Sequence, residues 1–297
     1  MVISSIKNSK IKCTYIKNIA NIGAGANFLR VLENTESDYL WWRGDDDVIS
    51  KEQVDAVKEN ISSDPGLLLM SYTAREKFIS SGIDSFVSNF EKIEAMTWAS
   101  QVIVPTRLAK IELSWGYKII DWAHVALIIR MISINSSLKF SVIPYELKKN
   151  HFRDIGRVGL GWPFFNTTLK KFPQTAEIVP NRLRQKYLEN WRKTKKLSLV
   201  RTMIGMKMGV STQETISLST FSSLISVKNL YCNFVAITLF LASKVPSTIY
   251  LLLFSFAWKW FSASRKESFS LDFLMPCTNF IQVYNELRKN LRVMPIE

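Results

Sequence analysis

Asp38-Tyr39-Leu40-Trp41-Trp42-Arg43-Gly44-Asp45-Asp46-Asp47-Val48-Ile49 is the stretch on which the fold turns. Tyr39 to Trp42 reads as a short buried strand that runs through Gly44 into three consecutive carboxylates. Adjacent Asp side chains repel one another, and burying one unpaired costs several kcal/mol. They therefore call for a counter-charge, either a divalent metal or a cluster of donors, unless they form an exposed acidic turn. Oxygen ligands suit Mg²⁺ or Mn²⁺. A helix follows at once: Ser50 and Gln53 make a capping box, Val54, Val57 and Ile61 form an apolar stripe, and Asp64-Pro65-Gly66 ends it. The triplet thus sits on a strand-to-helix loop, and in α/β sheets ligands bind at the carboxyl ends of strands.

Upstream, Lys10 to Ile16 alternates as a strand, through Ile11, Cys13 and Tyr15. Asn18 to Asn27 is a loop rich in Gly and Asn that leads into a helix carrying Phe28, Leu29 and Leu32. Glycines before a helix let backbone N–H groups approach a phosphate or ribose. Gly23-Ala24-Gly25 is not a full dinucleotide fingerprint, because no third Gly follows at the required spacing, and a simple Gly-rich turn is the plain alternative. Downstream, the continuous apolar run Leu67 to Tyr72 fits a central strand, and Thr97 to Pro105, including Trp98, fits another. Between them Ser80 to Met96 reads as a polar loop anchored by Phe78, Phe86 and Phe90, lying over the mouth of a site or as a plain surface connection. Asp121 is a single acid at the start of an apolar helix from Trp122 to about Ile132, a place where Asp caps well. His124, three residues on, reads as packed rather than reactive. A short strand at Ser141 to Tyr145 precedes a basic loop holding His151, Arg153 and Arg157, able to clamp phosphates or simply to face water.

The 297 residues suffice for one large domain and an appendage, and a net charge of +14 points to an acidic partner: phosphates, anionic lipid or nucleic acid. Cys13, Cys232 and Cys277 are too far apart for a zinc site and odd in number, which fits a reducing cytoplasm. Met1 to Lys10 has no continuous apolar core, so no signal peptide is expected. Asn181 to Lys207 interleaves cations with Leu183, Tyr187, Leu188 and Trp191, the pattern of a basic amphipathic helix for an anionic membrane surface. Leu230 to Phe261 is the most apolar part, interrupted by Lys244-Val245-Pro246. A bilayer span needs about 20 apolar residues, so an in-plane helical hairpin is preferred over a buried helix pair or one bent span. Trp258, Trp260, Arg265 and Lys266 suit a membrane interface, and a short amphipathic helix is expected around Phe280 to Leu291.

The order of a strand, Asn21-x-Gly23-x-x-x-Asn27, a helix, and an aromatic strand ending in Gly44-Asp-Asp-Asp resembles the family-2 glycosyltransferases. These are nucleotide-sugar-dependent enzymes with the GT-A fold. The likeness is greatest to bacterial members that build O-antigen and other surface polysaccharides, including abequosyltransferase-like enzymes. It covers roughly Lys10 to Arg157, and Trp41-Trp42-x-Gly44-Asp-Asp-Asp is its most specific part. The resemblance implies that Asp45, Asp46 and Asp47 are the family's metal-binding element for Mg²⁺ or Mn²⁺, with Asp46 the strongest ligand if Gly44 stands where many relatives place the first Asp. It implies that Asn21, Gly23 and Asn27 line the nucleotide-sugar side, and that Asp121 is the general base of an inverting transfer. It also implies that His151, Arg153 and Arg157 belong to a loop over the diphosphate. Arg43 stands where relatives commonly have an apolar residue. Family members begin with a strand, a helix and a second strand, so the resemblance implies that this chain would start after them, short by about 50 residues.

The reading is therefore an α/β, GT-A-like (Rossmann-like) nucleotide-sugar domain at 1–165, N-terminally truncated, then a basic amphipathic helical segment at 166–228 and apolar membrane-associating helices at 229–297. The expected activity is sugar transfer from a nucleotide-sugar donor to a lipid-linked saccharide acceptor, at the cytoplasmic face of a bacterial inner membrane, with an anionic membrane surface as partner and no nucleic acid. The alternatives are an inactive truncated relative acting only as a peripheral membrane protein and, more weakly, a nucleic-acid binder explained by the charge.

Overall fold

The computed structural model describes residues 14–44, 49–63, 66–71, 74–144, 166–193, 230–246 and 249. Asp45, Asp46, Asp47, His151, Arg153 and Arg157 lie outside the described residues, as do 194–229 and most of the chain beyond Pro246.

The fold is α/β, built on a mixed five-stranded sheet. Leu67 to Met70 carries large apolar side chains at every position, so both faces of its strand have to be covered. That strand, β2 (Leu67–Ser71), is accordingly the middle of the sheet. Leu67 and Leu69 enter the main core, while Leu68 and Met70 enter a smaller one with Val57, Ile103 and Ile143. Around it stand β1 (Tyr39–Trp41), β3 (Phe78–Ser81), β4 (Val102–Pro105) and β5 (Lys139–Pro144), in the order β1-β4-β2-β5-β3. β2 and β5 are parallel; the other pairs are antiparallel.

Helix α1 (Ala24–Glu33) buries Leu29 and Leu32, and α2 (Lys51–Ser63) covers the opposite face through Val57. The capping box forms as expected: the Ser50 N–H donates to Gln53 Oε1 at 2.8 Å and the Gln53 N–H to Ser50 Oγ at 3.3 Å. Of the strand expected at Lys10 to Ile16, only Thr14 to Ile16 are described, and these are exposed and irregular.

Residues 80–96 are not the loop that their polarity suggested. β3 is followed by α3 (Ile83–Ser88) and α4 (Phe90–Ile93), and Phe86, Phe90 and Ile93 are wholly buried. Three apolar anchors at helical spacing outweigh the polar residues between them, since each buried side chain contributes about 1.5–3 kcal/mol. The strand expected from Thr97 begins only at Val102, and Trp98 lies between two 3₁₀ turns, Glu94–Thr97 and Ala99–Gln101. After β4 come α5 (Thr106–Ile111), α6 (Leu113–Lys118) and, past the short turn Ile120–Trp122, α7 (Ala123–Ile134), buried almost all round.

The boundary expected near residue 165 is not a boundary of the core. Leu169, Phe172, Leu183, Tyr187 and Trp191 share one hydrophobic cluster with the sheet and α7. Helix α8 (residues 181–193) is amphipathic as expected, but its stripe of Leu183, Tyr187 and Trp191 faces protein: Tyr187 meets Phe90 edge-on at 5.3 Å, and Trp191 stacks on Phe172 at 5.5 Å. Three of its cations bond to neighbouring parts of the core domain. Arg182 pairs with Asp84, Arg184 donates to the Ala176 and Glu177 carbonyls, and Lys186 to Ser88 Oγ. The apolar run at 230 begins a helix, α9 (Leu230–Lys244), which ends at the Lys244-Val245-Pro246 interruption. Among the described residues no helix is long and apolar enough to cross a membrane.

Candidate functional site

Three stretches far apart in sequence meet at the end of β1 that leads to Gly44. The first is the Asn18–Asn27 turn. Asn21 Oδ1 accepts the Gly23 N–H at 2.9 Å, closing an Asx turn, and Gly23 follows with φ 79°, a conformation that glycine adopts without strain. Asn27 Oδ1 accepts from Asn18 Nδ2 at 3.1 Å. Asn21, Gly23 and Asn27 are therefore one hydrogen-bonded turn at the start of α1. Gly25 is needed for space instead, since a Cβ there would stand 1.8 Å from the Ile120 carbonyl oxygen. Only glycine lets α1 lie against the turn that carries Asp121.

The second is the end of β1. Trp42 is buried and donates its indole N–H to the Phe28 carbonyl at 3.1 Å, and its ring meets Phe28 edge-on at 6.5 Å. The Arg43 guanidinium lies 4.9 Å from the centre of the Trp41 ring and donates to the Ser100 carbonyl at 3.0 Å, the same oxygen that accepts Trp41 Nε1 at 2.9 Å. Two donors on one carbonyl fix the strand's exit toward Gly44.

The third is Asp121 with its neighbours. No side-chain hydrogen bond caps the turn Ile120–Trp122 or α7. Asp121 Oδ1 instead accepts from Lys171 Nζ at 2.8 Å, and both side chains are about one-third exposed, 35% and 37%. The pair is held from beneath, since Trp122 donates to the Thr167 carbonyl at 3.0 Å and meets Phe172 at 4.9 Å. The carboxylate is thus fixed yet open to water. Lys171 carries no local sequence signal, because its partner lies in a distant segment.

His124 packs between α1 and the Asp121 turn. It is 5% exposed and packed against Phe28 at 5.9 Å and Trp122 at 6.0 Å. Burial lowers its pKa to about 4; the Thr97 and Met96 carbonyls that face the ring pull the other way. Neither ring nitrogen has a full hydrogen bond, so His124 is a neutral packing residue, as its place on an apolar helix suggested.

Among the described residues no group of three His, Cys, Asp or Glu is placed to hold a metal ion. Compared with known protein families, curated proteins and solved structures, the chain finds no match.

Proposed function

We propose that the chain is a glycosyltransferase that moves a sugar from a nucleotide-sugar donor to a lipid-linked saccharide, with the GT-A-like architecture its sequence resembles. One observation carries the reading. The Asn21–Asn27 turn, the end of β1 before the Asp triplet, and Asp121 are separate in sequence but meet through Gly25 against Ile120, Trp42 on Phe28, and Phe28 on His124. Those are the three stretches a nucleotide-sugar site of this type would need together. The mixed sheet with β1 antiparallel to β4 is compatible with it.

In this reading Asp121 takes the proton of the acceptor hydroxyl as that oxygen bonds to the anomeric carbon. The bond from that carbon to the donor phosphate breaks, releasing the nucleoside diphosphate, and a single displacement inverts the centre. Lys171 orients the carboxylate through Oδ1, which leaves Oδ2 for the acceptor. Asn21, Gly23 and Asn27 bound the nucleotide side, Arg153 and Arg157 supply cations for the diphosphate, and His151 is a further ligand for the divalent metal. The three carboxylates of Asp45, Asp46 and Asp47 are a donor set suited to a hard divalent cation. Mg²⁺ or Mn²⁺ held there would neutralise the departing diphosphate. The acceptor's lipid puts the reaction at a membrane surface, the cytoplasmic face of a bacterial inner membrane.

Calorimetric titration of the purified chain in detergent with UDP, GDP, CDP and dTDP, each with and without Mn²⁺, tests this. Metal-dependent binding of one nucleotide, lost in Asp46→Ala, is the expected result. A folded chain that binds none of them would overturn the proposal.

A further inference from the structure

We infer that α9 is an in-plane membrane anchor: Ile237 and Leu241 enter the apolar edge of a bilayer, and Lys244 meets the phosphates of anionic lipid. The inference rests on the membrane setting of the transferase reading, and its test is separate from nucleotide binding. Scattered exposed apolar side chains are ordinary on a protein surface, so the arrangement is what matters. Ile237 and Leu241 stand one turn apart, 52% and 59% exposed, with Thr238 beside them and Lys244 closing the same exposed face. The other face meets protein. Leu239 is buried in the hydrophobic cluster that also holds Trp122 and the side chains of α7, and Phe240 and Ala242 pack against it. α9 is thereby seated on the body that carries Asp121.

Other helices of this chain put charge where they face water. α2 exposes Lys51, Asp55, Lys58 and Glu59, and α8 exposes Arg182, Lys186 and Lys193. α9 has no charged residue from Leu230 to Ser243, so its outward face is not one suited to water. Its C-terminal polar groups are satisfied from within: Ser243 Oγ donates to the Phe240 carbonyl at 2.6 Å, and the Val245 N–H to the Ala242 carbonyl at 3.1 Å. Groups already bonded cost less to bring out of water. Lys244 Nζ lies 5.2 Å from the centre of the Phe240 ring, which keeps the lysine stem on apolar surface and its ammonium at the rim.

Of the occupants such a face admits, lipid fits best. A second copy of the chain would need about 800 Å² from each partner, and two half-exposed side chains supply only a small part of that. Crossing a bilayer takes about 30 Å of apolar helix, whereas the 15 residues of α9 reach about 22 Å. A bilayer surface asks for only a few inserted side chains, and its anionic lipids attract a chain of net charge +14.

The test encodes an environment-sensitive fluorescent amino acid in the full chain, freed of detergent, in place of Ile237, of Leu241 and, as an exposed control on α5, of Ile111. Vesicles of phosphatidylglycerol and phosphatidylcholine are added, with and without bromine on the acyl chains. The expected result is a blue shift and quenching by bromine at the first two positions, and neither at the control. In the unlabelled chain Leu241→Ala should weaken vesicle affinity roughly tenfold. Lys244→Gln should weaken it roughly fivefold on vesicles containing phosphatidylglycerol and leave it unchanged on phosphatidylcholine alone. Because both side chains are exposed, both variants should keep the parent circular dichroism spectrum. Silent probes at Ile237 and Leu241, or an equal response at Ile111, would overturn the inference. So would a shift that grows with protein concentration in the absence of vesicles, which would make the occupant a second copy. Probe insertion without nucleotide binding keeps the anchor and removes the transferase reading. Nucleotide binding with silent probes does the reverse.

Discussion

His124 carries a cost at low pH. Its ring is uncharged in the folded chain because burial has lowered its pKa to about 4 from an ordinary 6.5. Between those values the unfolded chain binds a proton that the folded chain refuses, so stability rises with pH across the window. The contribution is fully present above about pH 7 and declines as the pH falls toward 4, by about 3 kcal/mol in all. Urea unfolding at pH 7.5 and pH 5 should show the wild type losing about 2 kcal/mol more than His124→Leu over that interval. At pH 7.5 the substitution itself should cost little, because neither ring nitrogen has a full hydrogen bond to lose. Equal pH dependence in the two proteins would mean that the ring is not buried as described. Asp121 shows the other use of a polar group at this place: one helical turn earlier, paired with Lys171, and still in contact with water.

At the scale of elements, the seat of α1 on the Asp121 turn depends on a missing side chain. A methyl group at Gly25 would fall within 1.8 Å of the Ile120 carbonyl oxygen, whereas one at Gly23 would meet nothing within 4 Å and suffer only backbone strain at φ 79°. Gly25→Ala should therefore lower unfolding free energy by about 3 kcal/mol and Gly23→Ala by about 1–2 kcal/mol, read by chemical denaturation. The reverse order would place α1 differently. Elements of this kind were legible where one strong local rule applied. The reciprocal Ser50–Gln53 cap announced α2, unbroken apolarity announced β2, and Leu29 with Leu32 announced the buried face of α1. They were illegible where burial had to be weighed against polarity. Phe86, Phe90 and Ile93 are core residues diluted by Ser, Asn and Lys, so α3 and α4 read as loop. Trp98 looked like strand because aromatic residues favour strands, yet what it faces is set by contacts with distant residues. The candidate site divides in the same way. Asp121 and the Asn21–Asn27 turn stand out locally, while Lys171, a lysine among many, is found only when the chain is folded.

For the whole molecule, the unequal treatment of α8 and α9 matters most. The stripe of α8 is spent on the core, whereas α9 buries Leu239 alone among its described side chains and leaves Ile237 and Leu241, one turn apart, exposed at 52% and 59%. α9 is the better candidate for membrane contact. Flotation of the full chain with phosphatidylglycerol–phosphatidylcholine vesicles should show binding that survives about 0.5 M NaCl, where charge attraction is screened within a few ångströms. The Ile237→Asp, Leu241→Asp pair should abolish it. Complete release by salt alone would point instead to the +14 charge as the anchor. The sheet order has a consequence of its own for biosynthesis. β2 lies between β4 and β5, both of which follow it in sequence, and β1 must also wait for β4. As the chain leaves the ribosome at roughly 5–20 residues per second, Leu67 to Met70 spend several seconds as an unpaired apolar strand. A nascent chain so arranged is a natural client for a holding chaperone, and its yield in cells should depend on translation speed between β2 and β5 more than on the stability of the finished fold.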